Sequence, residues 1–444
     1  MTIITQQHAK ELLSKVLKFS KADECECNLE SKVGGNIRYA RNTVSTSGQE
    51  SDLILIVQST FGKRTGTATI NEFDNASLEK VVRRSEELAK LAPENEEFMP
   101  LFGQQKYAEA NTYFDSTANV TPEDRAQAAF DSIDPSKKNK LIAAGFLEDE
   151  VLMSAIMNSK GLFAYNTSTN VDFSVTIRTE DGKGSGWSSG NYSDVKLLDT
   201  AKLSSIAIRK SKGSAYAKEM EPGKYTVILE PAASVDLLQN MMRAFDQRSA
   251  DEGRSFLSNK VAKGEEGPKN KLGQKMFDER VHIYSDPQHS IAPSAPFAGN
   301  GYPLNKIDWI KDGTIQNMPN SPYWAKHTKS EYIPANRNII MSGGDQSLED
   351  MIKNPRRGVL VTRLWYIRSL DPQTLLYTGL TRDGTFYIEN GKIKYPIKNF
   401  RFNESPIIML NNIEALGEPQ RIDGSMIPPM KIRDFTFSSL SDAV

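Results

Sequence analysis

Four histidines (His8, His282, His289 and His327), two cysteines and one run of three acids are the side chains of this 444-residue chain with the readiest chemistry. Two histidines four apart on a helix could share a metal ion from one face, but no pair of the four has that spacing. His282, Asp286 and His289 form the one nearby cluster with ligand chemistry. His282 is expected to alternate along a strand and Asp286-Pro287 to mark a turn, so convergence on one ion needs an unusual loop. A strand end carrying surface polar groups is the plainer expectation. His8 reads as a solvated residue just ahead of the first helix. Cys25 and Cys27, two apart, would share one face of a strand as half-buried thiols, in keeping with a reducing compartment. Glu148-Asp149-Glu150 could pass for a catalytic carboxylate pair, yet a solvated acidic turn is the ordinary expectation. The glycine-rich string GKGSGWSSGN at 182–191 departs from the G-x-x-x-x-G-K-[S/T] pattern that cradles phosphate, which leaves a hairpin loop.

The elements that must position these groups alternate between helical and extended patterns. Ala9, Leu12, Leu13, Val16 and Leu17 form one apolar stripe, and Leu78, Val81, Val82, Ser85, Leu88 and Ala89 another, closed by Pro93. Strands are expected near 24–31, 35–41, 52–59 and 64–70, and a meander over about 140–157 and 162–180. Thr121-Pro122-Glu123-Asp124 opens a helix with a capping threonine and first-turn acids, and a further helix spans about 199–212. Glu221-Pro222-Gly223 marks a change of texture. After it come strand Tyr225–Leu229, a helix burying Leu238, Met241, Met242 and Phe245, and hairpin signals at Asp312-Gly313, Asp383-Gly384 and Asn390-Gly391. The expected fold class is α+β. An N-terminal α/β domain of helices packed on a sheet fills 1–218, with a middle segment at about 110–218, and a mostly antiparallel β-rich domain fills 219–444.

With 38% hydrophobic and 25% charged residues the composition is globular, and no apolar run reaches the roughly 18 residues of a membrane span. The N-terminus lacks a basic segment followed by an apolar one, so a cytoplasmic location is expected. Lys plus Arg number 55 and Asp plus Glu 56. A net charge of -1 gives no surplus with which to displace counterions, so no direct nucleic-acid binding is expected.

Several strings resemble the TldD/PmbA metallopeptidase family: EPGKYTVILEPAA at 221–233, RSFLSNKVAKGEEG at 254–267, KMFDERVHIYSDP at 275–287, GVLVT at 358–362 and FYIENGKIKYPIKNFRF at 386–402. The stretch 62–98 is similar to the family's N-terminal domain. The resemblance implies a subunit of two domains and, in the active branch, a zinc held by the two histidines of H-E-x-x-x-H and a late cysteine, with the glutamate as base. It places Gln239 and Ala244 at the histidine positions, Asn240 at the glutamate and Asp423 at the cysteine. Glutamine is a feeble zinc ligand and alanine none, asparagine cannot act as a base near neutral pH, and the aspartate, which could bind a metal, has no companions there. The chain is therefore similar to the TldE-type branch that lacks the motif. The implied function is that of a non-catalytic partner of a TldD-like subunit that holds the zinc and degrades or processes peptides, with no metal or cofactor in this chain. Two alternatives stand beside it: an active metallopeptidase with rearranged ligands such as the His282 cluster, and a protein-binding modulator of DNA gyrase. Self-pairing in isolation is left open. The aromatic stretches Tyr302 to Trp309 and Tyr323-Trp324 are candidate interface surfaces, with core packing as their other reading.

Overall fold

The computed structural model describes residues 3–259, 267, 269–335 and 338–441. Residues 260–266 of the string at 254–267 lie outside the described residues.

In the N-terminal half β1 (Glu24–Ala40), β2 (Thr43–Phe61), β3 (Arg64–Ile70), β4 (Leu141–Asn158), β5 (Phe163–Thr179) and β6 (Ser185–Tyr192) form one antiparallel sheet, in the order β3-β2-β1-β4-β5-β6. The helices are α1 (Gln6–Phe19), α2 (Asn75–Leu91), the single turn α3 (Asp115–Ala118), α4 (Pro122–Lys138) and α5 (Thr200–Ser214). Leu13 and Val16 of α1 and Leu78 and Val82 of α2 bury against Leu29, Leu55 and Val57. Small residues of α4 and α5, Ala128, Ala129 and Ala207, cover Tyr39, Phe173 and Val175. Thr121 and Asp124 make the reciprocal capping box that starts α4.

Four sequence expectations change here. The segments 24–31 and 35–41 are one strand, because Gly34-Gly35 is a place of close approach and not a break. A Cβ on Gly34 would lie 2.3 Å from the Asp149 carbonyl oxygen, and one on Gly35 2.2 Å from the Arg125 guanidinium carbon. The turn expected within 182–191 ends by Gly184, and Ser185 onward is β6. There the glycines let α5 approach, since a Cβ on Gly186 would meet the Ala207 carbonyl at 2.2 Å. Glu148-Asp149-Glu150 is no turn but the middle of β4. Alternation sends Glu148 and Glu150 to Lys32 at 2.8 and 3.1 Å, and Asp149 to the opposite face against Arg125. His8 lies inside α1, exposed, where it was expected just ahead of the helix.

The C-terminal half contains β7 (Gly223–Leu229), β8 (Ile283–Ser285), β9 (Ile307–Lys311), β10 (Thr314–Ile315), β11 (Ile340–Met341), β12 (Arg357–Asp371), β13 (Leu376–Glu389), β14 (Lys392–Pro396), β15 (Asn399–Glu404), β16 (Ile413–Leu416), β17 (Gln420–Ile422), β18 (Ser425–Ile427) and β19 (Met430–Ser441). Its helices are α6 (Pro231–Arg243), α7 (Gln247–Asp251), α8 (Pro322–Thr328), α9 (Leu348–Lys353) and α10 (Pro406–Asn411). One sheet runs β10-β9-β8-β11-β18-β17. In the other, β12, β7, β19, β15 and β13 pair in sequence and β13 pairs again with β12, so the ring closes and removes its own edges. The pairings are antiparallel except β7–β12 and β11–β18. Asp312-Gly313 and Asn390-Gly391 are hairpin turns with both residues left-handed, as expected. Asp383-Gly384 is instead a bulge inside β13, where the register steps from Val361↔Thr385 to Arg363↔Arg382.

The two halves touch through side chains. Ser185 donates to Asp383 at 2.5 Å, Lys210 pairs with Glu230 at 2.7 Å, and Arg248 with Glu97 at 2.7 Å. Trp309 and Trp324 are buried, the latter donating to Asp251 at 2.8 Å, and Tyr302 packs on Phe102 and Tyr332. Trp309 and Trp324 therefore serve local packing, while Tyr302 and Tyr323 stay half-buried. The exposed large apolar side chains lie elsewhere, notably Trp365, Tyr366 and Leu370 on β12. Among the described residues no helix is long and apolar enough to cross a membrane.

Candidate functional site at the end of helix α6

Pro231 at its first turn starts α6, and Val235, Leu238 and Met241 are buried in the C-terminal core. That fixes the rotation of the helix. Asp236, Asn240 and Arg243, at i, i+4 and i+7, then share a second face. This face forms one wall of a cavity of about 610 Å³, completed by Trp187 of β6, Arg363 to Arg368 of β12, and Ile422 and Asp423. Asp423 sits at the tip of the β17–β18 hairpin, with Asp423 at φ 46° and Gly424 at φ 69°, as a two-residue turn demands. Arg421 pins this hairpin to the N-terminal sheet by donating to the Asn191 carbonyl at 2.6 Å, and it also donates to the Ile291 carbonyl in a loop of the C-terminal half.

The structure brings Asn240 and Asp423 into this cavity and leaves Gln239 and Ala244 out of it. Those two face a larger cavity of about 940 Å³ on the other side of α6, with Phe245, Trp309 and Asn320. Arg243 borders both cavities, and it donates to the Asn240 amide oxygen at 3.0 Å. Arg363 is held by Asp383, Nε to Oδ2 at 2.7 Å, and lies 4.5 Å from the centre of the Trp187 ring. Burial pushes the Asp236 carboxyl up to about 6, with repulsion from Asp423 adding to it. Asp423 is itself raised: its side chain reaches water across the cavity mouth, but the surrounding protein still desolvates it.

Asp236 was not singled out in the sequence, although a polar i, i+4, i+7 series on an otherwise buried helix could have flagged it. A carboxyl raised on folding favours the protonated form. Its folded state therefore loses relative stability as pH climbs from about 4, the ordinary aspartate value, through 6. Asp236→Asn should accordingly raise the unfolding midpoint above pH 6, with the gain fading below about pH 4. Thermal melts across that range check it, and a uniform or absent gain counts against a carboxyl raised by burial.

The other candidates are employed separately. His282 Nε2 lies 3.1 Å from Asp308. Asp286 accepts the Gln288 amide at 2.9 Å, closing a local turn. His289 Nδ1 accepts the amides of Ile291 and Ala292 at 3.2 and 3.1 Å, and burial lowers its pKa. Among the described residues no three His, Cys, Asp or Glu side chains group so as to hold a metal ion. Cys25 and Cys27 are buried free thiols in the core beneath α1 and α2. Gly186-Trp187-Ser188-Ser189-Gly190 has the spacing of a nucleophile elbow, which needs a sharp strand-to-helix turn. Here it runs along β6 with Ser188 buried opposite Val175, so no elbow forms.

A metallopeptidase-like α+β architecture is the class this fold defines. Residues 222–439 match the model of the PmbA/TldA metallopeptidase C-terminal domain and residues 118–214 that of its central domain. The chain belongs to the PmbA/TldD family. A metalloprotease of Methanothermobacter thermautotrophicus is 20% identical over 291 residues, and the chain spans 61% of that relative's length. The crystal structure of TldE from Thermococcus kodakarensis superposes with a TM-score of 0.86 at 19% identity, over 97% of this chain and 99% of that one. A Thermotoga maritima protein described as a modulator of a DNA gyrase superposes with a TM-score of 0.84 at 17% identity, over 97% and 100%. Zinc, which the family name implies, does not fit the donors present. The cavity offers two carboxylates and an amide, shares them with guanidinium groups, and supplies neither imidazole nor thiolate.

Proposed function

We propose that the chain is the non-catalytic subunit of a peptide-degrading or peptide-processing zinc metallopeptidase, paired with a TldD-type subunit that supplies the metal and the general base. The observation that supports this reading is the end of α6: Gln239, Asn240 and Ala244, which the family resemblance sets at the H-E-x-x-x-H positions, face two different cavities. The family fold, kept over most of the chain, supports a role in assembly. The rearranged-ligand alternative loses ground, because His282, Asp286 and His289 each serve a separate local contact.

The purified chain is expected to hold no stoichiometric zinc and to cleave no peptide. Mixed with a TldD-type protein carrying H-E-x-x-x-H from the same genome, it should elute as a one-to-one complex. Chelator-sensitive peptidase activity that follows the isolated chain through purification would falsify the reading, as would a TldD-type enzyme fully active without it and never bound to it.

A further inference from the structure

A single peptide group joins a histidine to the hairpin that carries Asp423. His289 lies half-buried in the loop after β8, and its Nδ1 accepts the amides of Ile291 and Ala292 at 3.2 and 3.1 Å. Two amides aimed at one ring nitrogen fix that nitrogen as unprotonated and place the proton on Nε2. The Ala292 amide belongs to the same planar peptide unit as the Ile291 carbonyl. That carbonyl accepts Arg421 of β17, whose guanidinium also holds the Asn191 carbonyl of β6 at 2.6 Å and the Asn191 amide oxygen at 3.2 Å. At the hairpin tip the Gly424 amide donates to the same amide oxygen at 3.1 Å. Ala292 is itself buried with Met426 of β18, so the loop touches both strands of the hairpin.

An imidazolium offers no acceptor at Nδ1. Protonation would set donor against donor at both amides, and the buried Ala292 amide would lose its partner with no water to replace it. Around the ring, burial disfavours the cation, Asp286 of the same loop favours it, and Arg421 from the hairpin and Lys306 from the segment before β9 oppose it. The outcome is a ring held neutral below the ordinary histidine range. A protonated ring is relieved by turning the 291–292 peptide away from Nδ1, and that rotation carries its carbonyl away from Arg421. The Asn338 side chain holds the Asp286 and Ala292 carbonyls at 2.7 Å each, so the rest of the loop stays in place while this one peptide turns.

We propose that His289 is an acid-sensitive latch for the β17–β18 hairpin: neutral, it fastens the hairpin through the 291–292 peptide and Arg421, and protonated, it frees the hairpin and opens the cavity that Asp423 borders. The latch rests neither on the missing zinc motif nor on a partner subunit. Its pH window follows from linkage. A released histidine titrates at about 6.5 while the latched ring resists protonation, so the latch is fully fastened above that pH and weakens below it. The released population should rise about tenfold between pH 7.5 and 5.5. The neighbouring carboxylates act in the opposite direction. Burial raises both Asp172 and Asp423, which also repel each other, so protonating them draws the hairpin closer to the sheet.

Hydrogen exchange of the full chain, read by mass spectrometry at pH 7.5 and 5.5 and corrected for the intrinsic rate at each pH, tests the latch. In the wild type the segments containing Ile291-Ala292 and Gly424 should exchange about tenfold faster at pH 5.5, with β4 and β5 unchanged. His289→Asn should remove the acid response, because an asparagine oxygen accepts amides two and three residues on and does not titrate. His289→Ala should exchange fast at both pH values. A wild type whose two segments do not change, an acid response that persists undiminished in His289→Asn, or wild-type rates in His289→Ala at pH 7.5 overturns the latch. The partner-subunit reading is untouched by any of these, since zinc content and complex formation decide it.

Discussion

Asp383→Ala is expected to destabilise the protein by about 3–5 kcal/mol, the usual cost of stranding one member of a buried ion pair. Asp383 has no exposed side-chain surface, and its Oδ2 accepts Arg363 at 2.7 Å from Nε and 2.6 Å from Nη2. Its Oδ1 accepts the Ser185 hydroxyl from the other half of the molecule. Removing the carboxylate leaves a guanidinium that burial already penalises, with no counter-charge of comparable reach. Alanine at φ 54° adds about 1–2 kcal/mol of left-handed strain. Asp383→Asn, which tolerates that φ and keeps hydrogen bonding, should cost clearly less. Urea unfolding monitored on both halves checks the pair of variants. A loss for alanine within 1 kcal/mol of wild type would mean that the clamp is ornamental.

Gly35→Ala should be nearly as damaging, although it adds one methyl group. The new Cβ would lie 2.2, 2.3 and 2.6 Å from three guanidinium atoms of Arg125. That guanidinium cannot swing aside cheaply, because Nε and Nη2 grip Asp149 at 2.5 and 2.8 Å and both side chains are almost wholly buried. The expected loss is about 3–5 kcal/mol. Burial dominates here too, holding the Asp149 carboxyl above its usual range in spite of Arg125. The apolar pair Arg125→Met with Asp149→Leu should therefore be tolerated far better than either change alone. In that background Gly35→Ala should become mild, since methionine can flex away. An equal cost in both backgrounds would refute the clash.

Local rules made much of the fold readable, and the exceptions share a cause. The stripes of α1 and α2, the capping box of α4 and the turns at Asp312-Gly313 and Asn390-Gly391 are each decided by neighbours within a few residues. Asp383-Gly384 is the same dipeptide as the first of those turns. It becomes a bulge because Arg363, on the adjacent strand, offers the aspartate a buried cation. Glu148-Asp149-Glu150 likewise reads as a solvated turn until Lys32 and Arg125, from distant segments, neutralise both faces of the strand. At the site, the family resemblance pointed to Asn240 and Asp423, which the fold brings to one cavity. It could not show that Gln239 and Ala244 face another cavity, because that depends on the rotation of α6 against its core. Asp236 and Arg363 owe their importance to partners remote in sequence.

The hairpin tip at Asp423-Gly424 bears on descent as well as on the cavity it borders. Its two left-handed residues are cheap for glycine, which has no β-carbon, and for aspartate or asparagine, whose short polar side chains can hydrogen-bond the local backbone, whereas cysteine pays about 1–2 kcal/mol there. The family resemblance puts the thiol of active members at this locus. A single codon change would thus restore the thiol but not a comfortable backbone for it. Recovery would also require a reshaped turn, while the hairpin stays fastened to Asn191 through Arg421 and the Gly424 amide. Turn chemistry thus opposes, at this locus, the thiol that the resemblance implies for active members.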